Sequence, residues 1–265
     1  MDPLITQALR AGRAPVHRRS GGARVRLAGA GGALGAAVLE QLLGRRAFVQ
    51  VSVLVNRAFG SALAGLNPVA WPLDASGHAA LGGVRSAIVV FDRERHANGR
   101  DLAYWRPDPA ALPDLAARLQ HGGVRHLLVV LPHDAATLPQ ALRRGLASLD
   151  EQAIASLGFE HLVFMRAAQA APGARSSHPG ERLAHWMLSQ LQMMVPQRDR
   201  PVRSGKVGAF AAELAAQLPH APPGTRVVPP ELVWEVAQAN DPRALSRAWL
   251  HAGIEPTRPV PAPRL

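Results

Sequence analysis

The sequence predicts an α/β fold, in which a doubly wound parallel sheet is joined to a small, mostly helical C-terminal part. Short apolar segments such as "VQVSVLVNR" (49–57) alternate with longer segments that have helical periodicity. The segment "RHLLVVLP" (125–132) is apolar without alternation, which is typical of a strand buried on both faces. A glycine-rich turn also separates the first strand from the first helix.

The elements alternate along most of the chain. Strands are predicted at 25–29, 49–57, 69–74, 86–92, 125–132 and 161–167, and helices at 33–46, 109–123 and 138–158. The third strand has the weakest pattern because Pro72 interrupts it. Beyond 168, helices are predicted at 180–195 and 206–218, and 225–233 could contain a short late strand. We expect a flexible arm at 1–23, one domain at 24–250 and a proline-rich tail at 251–265.

Composition narrows the class of protein. The chain of 265 residues is 48% hydrophobic and 18% charged, as is usual for globular domains. It has neither an apolar run of membrane-spanning length nor the order of a secretory signal at its N-terminus. Cysteine is absent, which excludes disulfides, thiolate ligands and a cysteine nucleophile. We therefore expect a cytoplasmic protein without a membrane span.

The formal net charge of +11 raises the question of nucleic-acid binding. The basic residues are almost all arginines, since Lys206 is the only lysine, and they are scattered in small clusters. Aromatic residues make up only 5% of the chain, so surfaces for stacking bases are scarce. We expect a generally basic surface and no dedicated nucleic-acid site.

The stretch "AGAGGALG" (28–35) lies between the first strand and the first helix. Free backbone N–H groups and a helix N-terminus in that position suit a pyrophosphate. The glycines fit the spacing G-x-x-G-x-x-G at Gly29, Gly32 and Gly35, with an additional Gly31, because the commoner motif would need glycine where Leu34 stands. The turn therefore predicts a dinucleotide site; the alternative is a plain tight turn.

The end of the second strand predicts which dinucleotide binds. An acidic residue there would suit NAD, whereas arginine accepts the 2′-phosphate of NADP. This chain has Asn56 and Arg57, which favours NADP over NAD unless Arg57 is simply a surface arginine. The complete set of predicted cofactor-binding residues is Gly29, Ala30, Gly31, Gly32, Ala33, Leu34, Gly35, Asn56 and Arg57.

With these motifs the chain resembles the short-chain dehydrogenase/reductase superfamily, which has a Rossmann-type fold. It looks most like the atypical branch that includes the Tat-interacting-protein-like NADP-binding proteins and their bacterial relatives. Three stretches carry the resemblance: "AGAGGALG" followed by "VLVNR", then "EQAIASLGFEHLVFMRAAQAAPGARSSHPGERL" (151–183), then "VRSGKVGAFAAELAAQL" (202–218). The resemblance implies an NADP(H)-binding protein.

The superfamily's catalytic pattern is absent. Its tyrosine and lysine would fall near Arg143 and Ala147, and "LPH" (131–133) stands where the serine segment would be. The only tyrosine, Tyr104, is elsewhere. No catalytic residue is assigned, so we expect weak or unconventional oxidoreductase activity or cofactor sensing. The alternative is a non-enzymatic interaction protein on a degenerate scaffold, with a protein or a small molecule as its partner.

Two further groups of polar residues are candidates for an acid/base site and a metal site. His133, with Asp134 beside it, could act as a general acid/base at the end of the fifth strand, but a loop histidine capping the next helix is the favoured interpretation. His178 and Glu181 could form a metal pair, but the eleven histidines lack spacing typical of a metal site. We therefore predict no metal site.

Overall fold

The computed structural model describes residues 22–45, 47–57, 59–61, 63–71, 83–92, 101–133, 149–168 and 202–252. The predicted arm, the predicted helix at 180–195 and most of the tail lie outside these residues, as does the first half of the helix predicted at 138–158. The boundaries predicted for the arm, domain and tail therefore stay predictions.

Seven strands and six α-helices are described. The strands are β1 (Ala23–Ala28), β2 (Phe48–Val55), β3 (Leu66–Ala70), β4 (Ser86–Val90), β5 (His126–His133), β6 (His161–Ala168) and β7 (Gly224–Val228). The helices are α1 (Gly32–Gly44), α2 (Leu112–His121), α3 (Leu149–Ala155), α4 (Ser204–Gln217), α5 (Pro230–Gln238) and α6 (Pro242–His251). Single 3₁₀ turns lie at Asp101–Ala103, Pro109–Ala111 and Leu218–His220.

The strands form one parallel sheet in the order β3-β2-β1-β4-β5-β6-β7. The chain winds outward from β1 to β3 and then returns to place β4 on the other side of β1. This reversal creates a crevice between the carboxyl ends of β1 and β4, the position where ligands bind in open α/β sheets. The fold is a Rossmann-type α/β fold, as predicted.

Helices cover both faces of the sheet. On one face, α1 and α4 pack on inward-facing residues of the central strands, in a core that includes Val25, Leu27, Val38, Leu128 and Phe210. On the other face, α2 and α3 pack on the alternate residues, in a core that includes Ala87, Val89, Leu119, Leu127 and Ile154. Because both faces are covered, the middle residues of the central strands are mostly apolar on both faces, which is why their sequences lack alternation.

Several element boundaries differ from the sequence prediction. The strand predicted at 69–74 is Leu66–Ala70, ending before Pro72. The segment 225–233 contains a strand only to Val228, because Pro229 interrupts pairing and Pro230 begins α5 at a position where proline is favoured. Helix α6 was not predicted; the Asp241 carboxylate caps its first turn. Among the described residues, no helix is both long enough and apolar enough to span a membrane.

Candidate functional site

The glycine turn between β1 and α1 lies at the carboxyl edge of the sheet, at the crevice. Gly29 has φ +80° and Gly32 has φ +76°, so both adopt a conformation that favours glycine. A Cβ on Gly29 would overlap the Val90 carbonyl, and one on Gly35 would overlap the Gly29 carbonyl. The spacing at 29, 32 and 35 thus has a steric reason, whereas Gly31 has an ordinary extended conformation with φ −72°.

The rest of the turn fixes the start of α1. Ala30 and Leu34 are buried in the core beneath the turn, while Ala33 is half-buried. No side chain caps the helix at Gly31, so its first N–H groups remain available to partners from outside the helix. An anion is favoured at such a helix end by these donors and by the helix dipole.

A carboxylate of the chain itself occupies part of this position. Asp92 follows β4, and its Oδ2 accepts a hydrogen bond of 2.7 Å from the Leu34 backbone N–H. A Cβ on Gly32 would lie 2.5 Å from the same oxygen, so the carboxylate lies directly against the turn. Asp92 was not among the predicted site residues. The signal in the sequence is its place directly after the buried strand "SAIVVF", on the strand next to β1.

The segment 101–107 extends across the same edge of the sheet, next to the end of β2. The Trp105 N–H donates to the Leu54 carbonyl at 3.0 Å, and Val55 forms an antiparallel bridge with Tyr104. The Arg106 guanidinium donates to the Asp92 carbonyl at 3.0 Å. The Pro107 ring lies 3.2 Å from where a Cβ on Gly29 would be. This segment therefore lies between the glycine turn and the end of β2.

The two residues predicted to select NADP have different surroundings. The Asn56 side-chain amide donates to the carbonyls of Leu102 at 2.8 Å and Tyr104 at 3.2 Å, so it holds the segment 101–107 in place. Its backbone N–H also donates to the Ala103 carbonyl at 3.0 Å. Arg57 is exposed to solvent at the end of β2, on the crevice side of the sheet.

The remaining candidates are only partly described. His133 is the last residue of β5, where its backbone pairs with Ala168; its side chain is not among those that the structure describes. Asp134, Arg143, Ala147, His178 and Glu181 lie outside the described residues as well. Tyr104 is half-buried beside β2. The serine segment of the superfamily would lie at the end of β5, which is on the other side of β1 in the sheet.

A buried ion pair lies on the other side of the crevice. The Arg166 guanidinium in β6 donates to both Glu151 carboxylate oxygens in α3, at 2.9 and 3.1 Å. Only 3% and 8% of the two side chains are exposed, so each buried charge is compensated in part by the other. This pair fixes α3 to the carboxyl half of β6.

Comparisons with known proteins give a similarity of fold only. No protein-family model matches the chain, and no curated protein matches it significantly. A Rossmann-fold NAD(P)-binding family protein from Shigella flexneri is 16% identical over 77% of this chain and 92% of its own, with a TM-score of 0.44. The Citrobacter sp. triphenylmethane reductase, complexed with NADP(H), is 17% identical over 72% and 65%, with a TM-score of 0.41. The Bordetella bronchiseptica enzyme WbmG, in complex with NAD, is 17% identical over 84% and 79%, with a TM-score of 0.38. The fold is assigned from the order of the strands in the sheet. These three structural similarities, with TM-scores of 0.38 to 0.44, carry no argument about this chain.

Proposed function

We propose that this chain is an NADP(H)-binding protein of the atypical short-chain dehydrogenase/reductase type, similar to the Tat-interacting-protein-like branch. The observation that carries the proposal is the glycine turn between β1 and α1 at the topological switch point. Gly29 and Gly35 allow strand and helix to approach closely, and the first turn of α1, where Gly31 supplies no capping side chain, favours a pyrophosphate once the Asp92 carboxylate has moved away. A cytoplasmic location belongs to the same proposal.

The choice of NADP rests on the end of β2. Arg57 is exposed there, and neither it nor Asn56 is acidic. A guanidinium pairs with a phosphate through charge-assisted hydrogen bonds, whereas the 2′-hydroxyl of NAD gains little from it. The Asn56 amide keeps its contacts with the segment 101–107, which leaves Arg57 as the residue that selects the 2′-phosphate.

Binding requires a change at Asp92. The Leu34 N–H that would donate to the pyrophosphate donates to the Asp92 carboxylate in this structure. The two anions compete for the same donor, and a carboxylate so close would also repel the phosphates. Dinucleotide binding in this account therefore moves the Asp92 side chain away from α1.

The chain's own residues favour sensing or unconventional chemistry over standard hydride transfer. The sequence has one tyrosine and one lysine, and they are not four residues apart. Tyr104 lies beside β2, and Lys206 lies in the first turn of α4. The pair that acts as acid/base and holds the nicotinamide ribose in the superfamily is therefore missing.

A second candidate function is supported by the same edge of the sheet. The Asp92–Leu34 contact and the segment 101–107 close part of the space between the glycine turn and β2. Such a partly closed cofactor site is expected of a non-enzymatic interaction protein that keeps the scaffold and has lost the cofactor.

Titration with NADPH separates the two functions. Saturable binding of NADPH, followed by its fluorescence, supports the first function, and loss of binding in Gly32→Trp places the site at the glycine turn. A side chain at position 32 is strained by the positive φ and meets Asp92, so thermal melting must show that this variant is folded. If wild type and Asp92→Asn both fail to bind at millimolar NADPH, the interaction protein is the better account.

A further inference from the structure

A second polar cluster lies at the opposite edge of the sheet, where the strands begin. Ser86, His126 and His161 are the first residues of β4, β5 and β6, and they are paired in register across the three strands. Glu160 immediately precedes β6. Paired residues of adjacent parallel strands point to the same face, so the two imidazoles lie side by side. The Glu160 carboxylate lies within 4 Å of both rings.

The distances in the cluster fit a shared ligand. Glu160 Oε2 lies 3.7 Å from His126 Nε2, and Glu160 Oε1 lies 3.8 Å from His161 Nε2. One nitrogen or oxygen from each of the three residues lies within 4.8 Å of the others. The ring centroids of the two histidines are 5.0 Å apart, with an interplanar angle of 62°.

These separations are close to those of a tetrahedral metal site. Ligand atoms that are each about 2.0–2.1 Å from a tetrahedral zinc ion lie about 3.3 Å from one another, and the centroids of two bound imidazoles lie about 5 Å apart. The centroid distance already matches. The two nitrogen–oxygen distances run to different oxygens of Glu160 and need to shorten by roughly half an ångström. The ligand atoms of the two histidines, which lie within 4.8 Å of each other, must also approach when the ion binds.

The surroundings prepare the imidazoles as ligands. The Ser86 hydroxyl is 3.0 Å from His126 Nδ1, and this hydrogen bond orients the ring so that Nε2 faces Glu160. Burial lowers the pKa of His126 despite the opposing charge of Glu160, and Arg85 lowers it further. Burial and the neighbouring His126 lower the pKa of His161.

A cavity of about 470 Å³ gives solvent access to the cluster and is lined by residues that include Arg24, Arg85, His126 and Glu160. Arg85 lies 4.0 Å from the Glu160 carboxylate, but its side chain is 70% exposed, so a metal ion can displace this weak ion pair. Arg226, on the next strand, also faces His161 and lowers its pKa. The arginines oppose a bare cation and favour an anion as the fourth ligand, so the cavity side of the site suits an exchangeable anionic ligand or water.

We propose that His126, Glu160 and His161 bind a divalent transition-metal ion, with zinc as the best match and the fourth position open to the cavity. Two imidazoles and one carboxylate are a ligand set that zinc accepts in sites with an open position. The spacing of histidines along the sequence predicts no metal site, and this proposal replaces that prediction. The two histidines are 35 positions apart and meet only because β5 and β6 are neighbours.

The test uses full-length, tag-free protein from which metal has been removed by a chelator, titrated with Zn²⁺ by calorimetry. We expect one equivalent to bind to wild type. Affinity should fall at least about 100-fold in both His126→Ala and Glu160→Gln, more than an outer-shell partner contributes. The control is His121→Ala, because His121 is an exposed histidine on α2 and should leave affinity unchanged. Circular dichroism checks that each variant is folded.

Cobalt provides a second measurement, which at saturating concentration reports the coordination geometry of the bound ion. Co²⁺ in the wild-type protein and in His121→Ala should give the visible absorption bands of a tetrahedral site, and these bands should be absent in Glu160→Gln. Because the Glu160 side chain is 46% exposed, we expect this variant to fold. If Zn²⁺ binds equally to wild type, His126→Ala and Glu160→Gln, or fails to bind to wild type, the proposal is wrong.

Discussion

The Asp92 carboxylate accepts a hydrogen bond of 2.7 Å from the Leu34 backbone N–H, which connects the residue following β4 to the start of α1. The two residues are 58 positions apart in the sequence and meet at the switch point. The contact gives the first turn of α1 a negatively charged partner, as the helix dipole favours. It also occupies a donor that a dinucleotide pyrophosphate would use.

Asp92→Asn should strengthen NADPH binding. The substitution removes the negative charge that competes with the phosphates, and a charge at a helix N-terminus contributes about 0.3–1 kcal/mol, up to about 2. We expect the dissociation constant to fall by about three- to tenfold, measured by NADPH fluorescence. The control is Asp241→Asn, since Asp241 caps α6 through two backbone N–H groups and lies in another element. Equal effects of both substitutions would refute competition at Leu34.

Arg57→Glu should weaken NADPH binding without weakening NADH binding, since an acidic residue at this position suits the ribose 2′-hydroxyl of NADH. The loss of a charge-assisted contact with the 2′-phosphate corresponds to about 1.5–3 kcal/mol, or about 10- to 100-fold in affinity. Arg57 is exposed, so the fold should be unaffected. Arg247→Glu, an equally large charge change at an exposed position of α6, is the control. Parallel losses for NADPH and NADH would show that Arg57 does not select the cofactor.

Two glycines of α4 should respond oppositely to alanine. A Cβ on Gly208 would lie 2.8 Å from the Ala37 carbonyl carbon of α1, so Gly208→Ala overpacks the contact between the helices. We expect it to lower the free energy of unfolding by about 1–3 kcal/mol. A Cβ on Gly205 would meet nothing within 4 Å beyond its own turn of the helix, and Gly205→Ala should raise this free energy by about 0.5 kcal/mol through helix propensity. Urea denaturation measures both, and equal signs would contradict the close packing of α1 on α4.

Arg166→Met should be strongly destabilising because it removes the guanidinium that donates to both oxygens of the buried Glu151 carboxylate. The expected loss is about 3–5 kcal/mol of unfolding free energy. The exposed pair Arg118–Asp114 on α2 provides a comparison, and Arg118→Met should cost less than about 1 kcal/mol. Replacing both partners, with Glu151→Leu and Arg166→Met together, should recover part of the loss in urea denaturation. A double variant as unstable as Arg166→Met would mean that the loss of the Arg166 charge beside the Glu151 carboxylate is not the cause.

Local patterns in the sequence were sufficient to predict the fold class and the glycine spacing. The apolar strands, the helical periodicity and the need for glycine at Gly29 and Gly35 all arise within short segments. Contacts between distant segments were not predicted. Asn56 meets carbonyls 46 and 48 residues away, and Asp92 reaches Leu34 only because β4 pairs with β1. The cluster of His126 and His161 likewise depends on strand neighbours that spacing along the chain does not reveal.

The most direct test of the central proposal, dinucleotide binding at the glycine turn, is an NADPH titration of wild type and Asp92→Asn. The account predicts saturable binding with one site per chain, tighter in Asp92→Asn and weakened at least about tenfold by adding Arg57→Glu. Absence of binding by both wild type and folded Asp92→Asn at millimolar NADPH would contradict it.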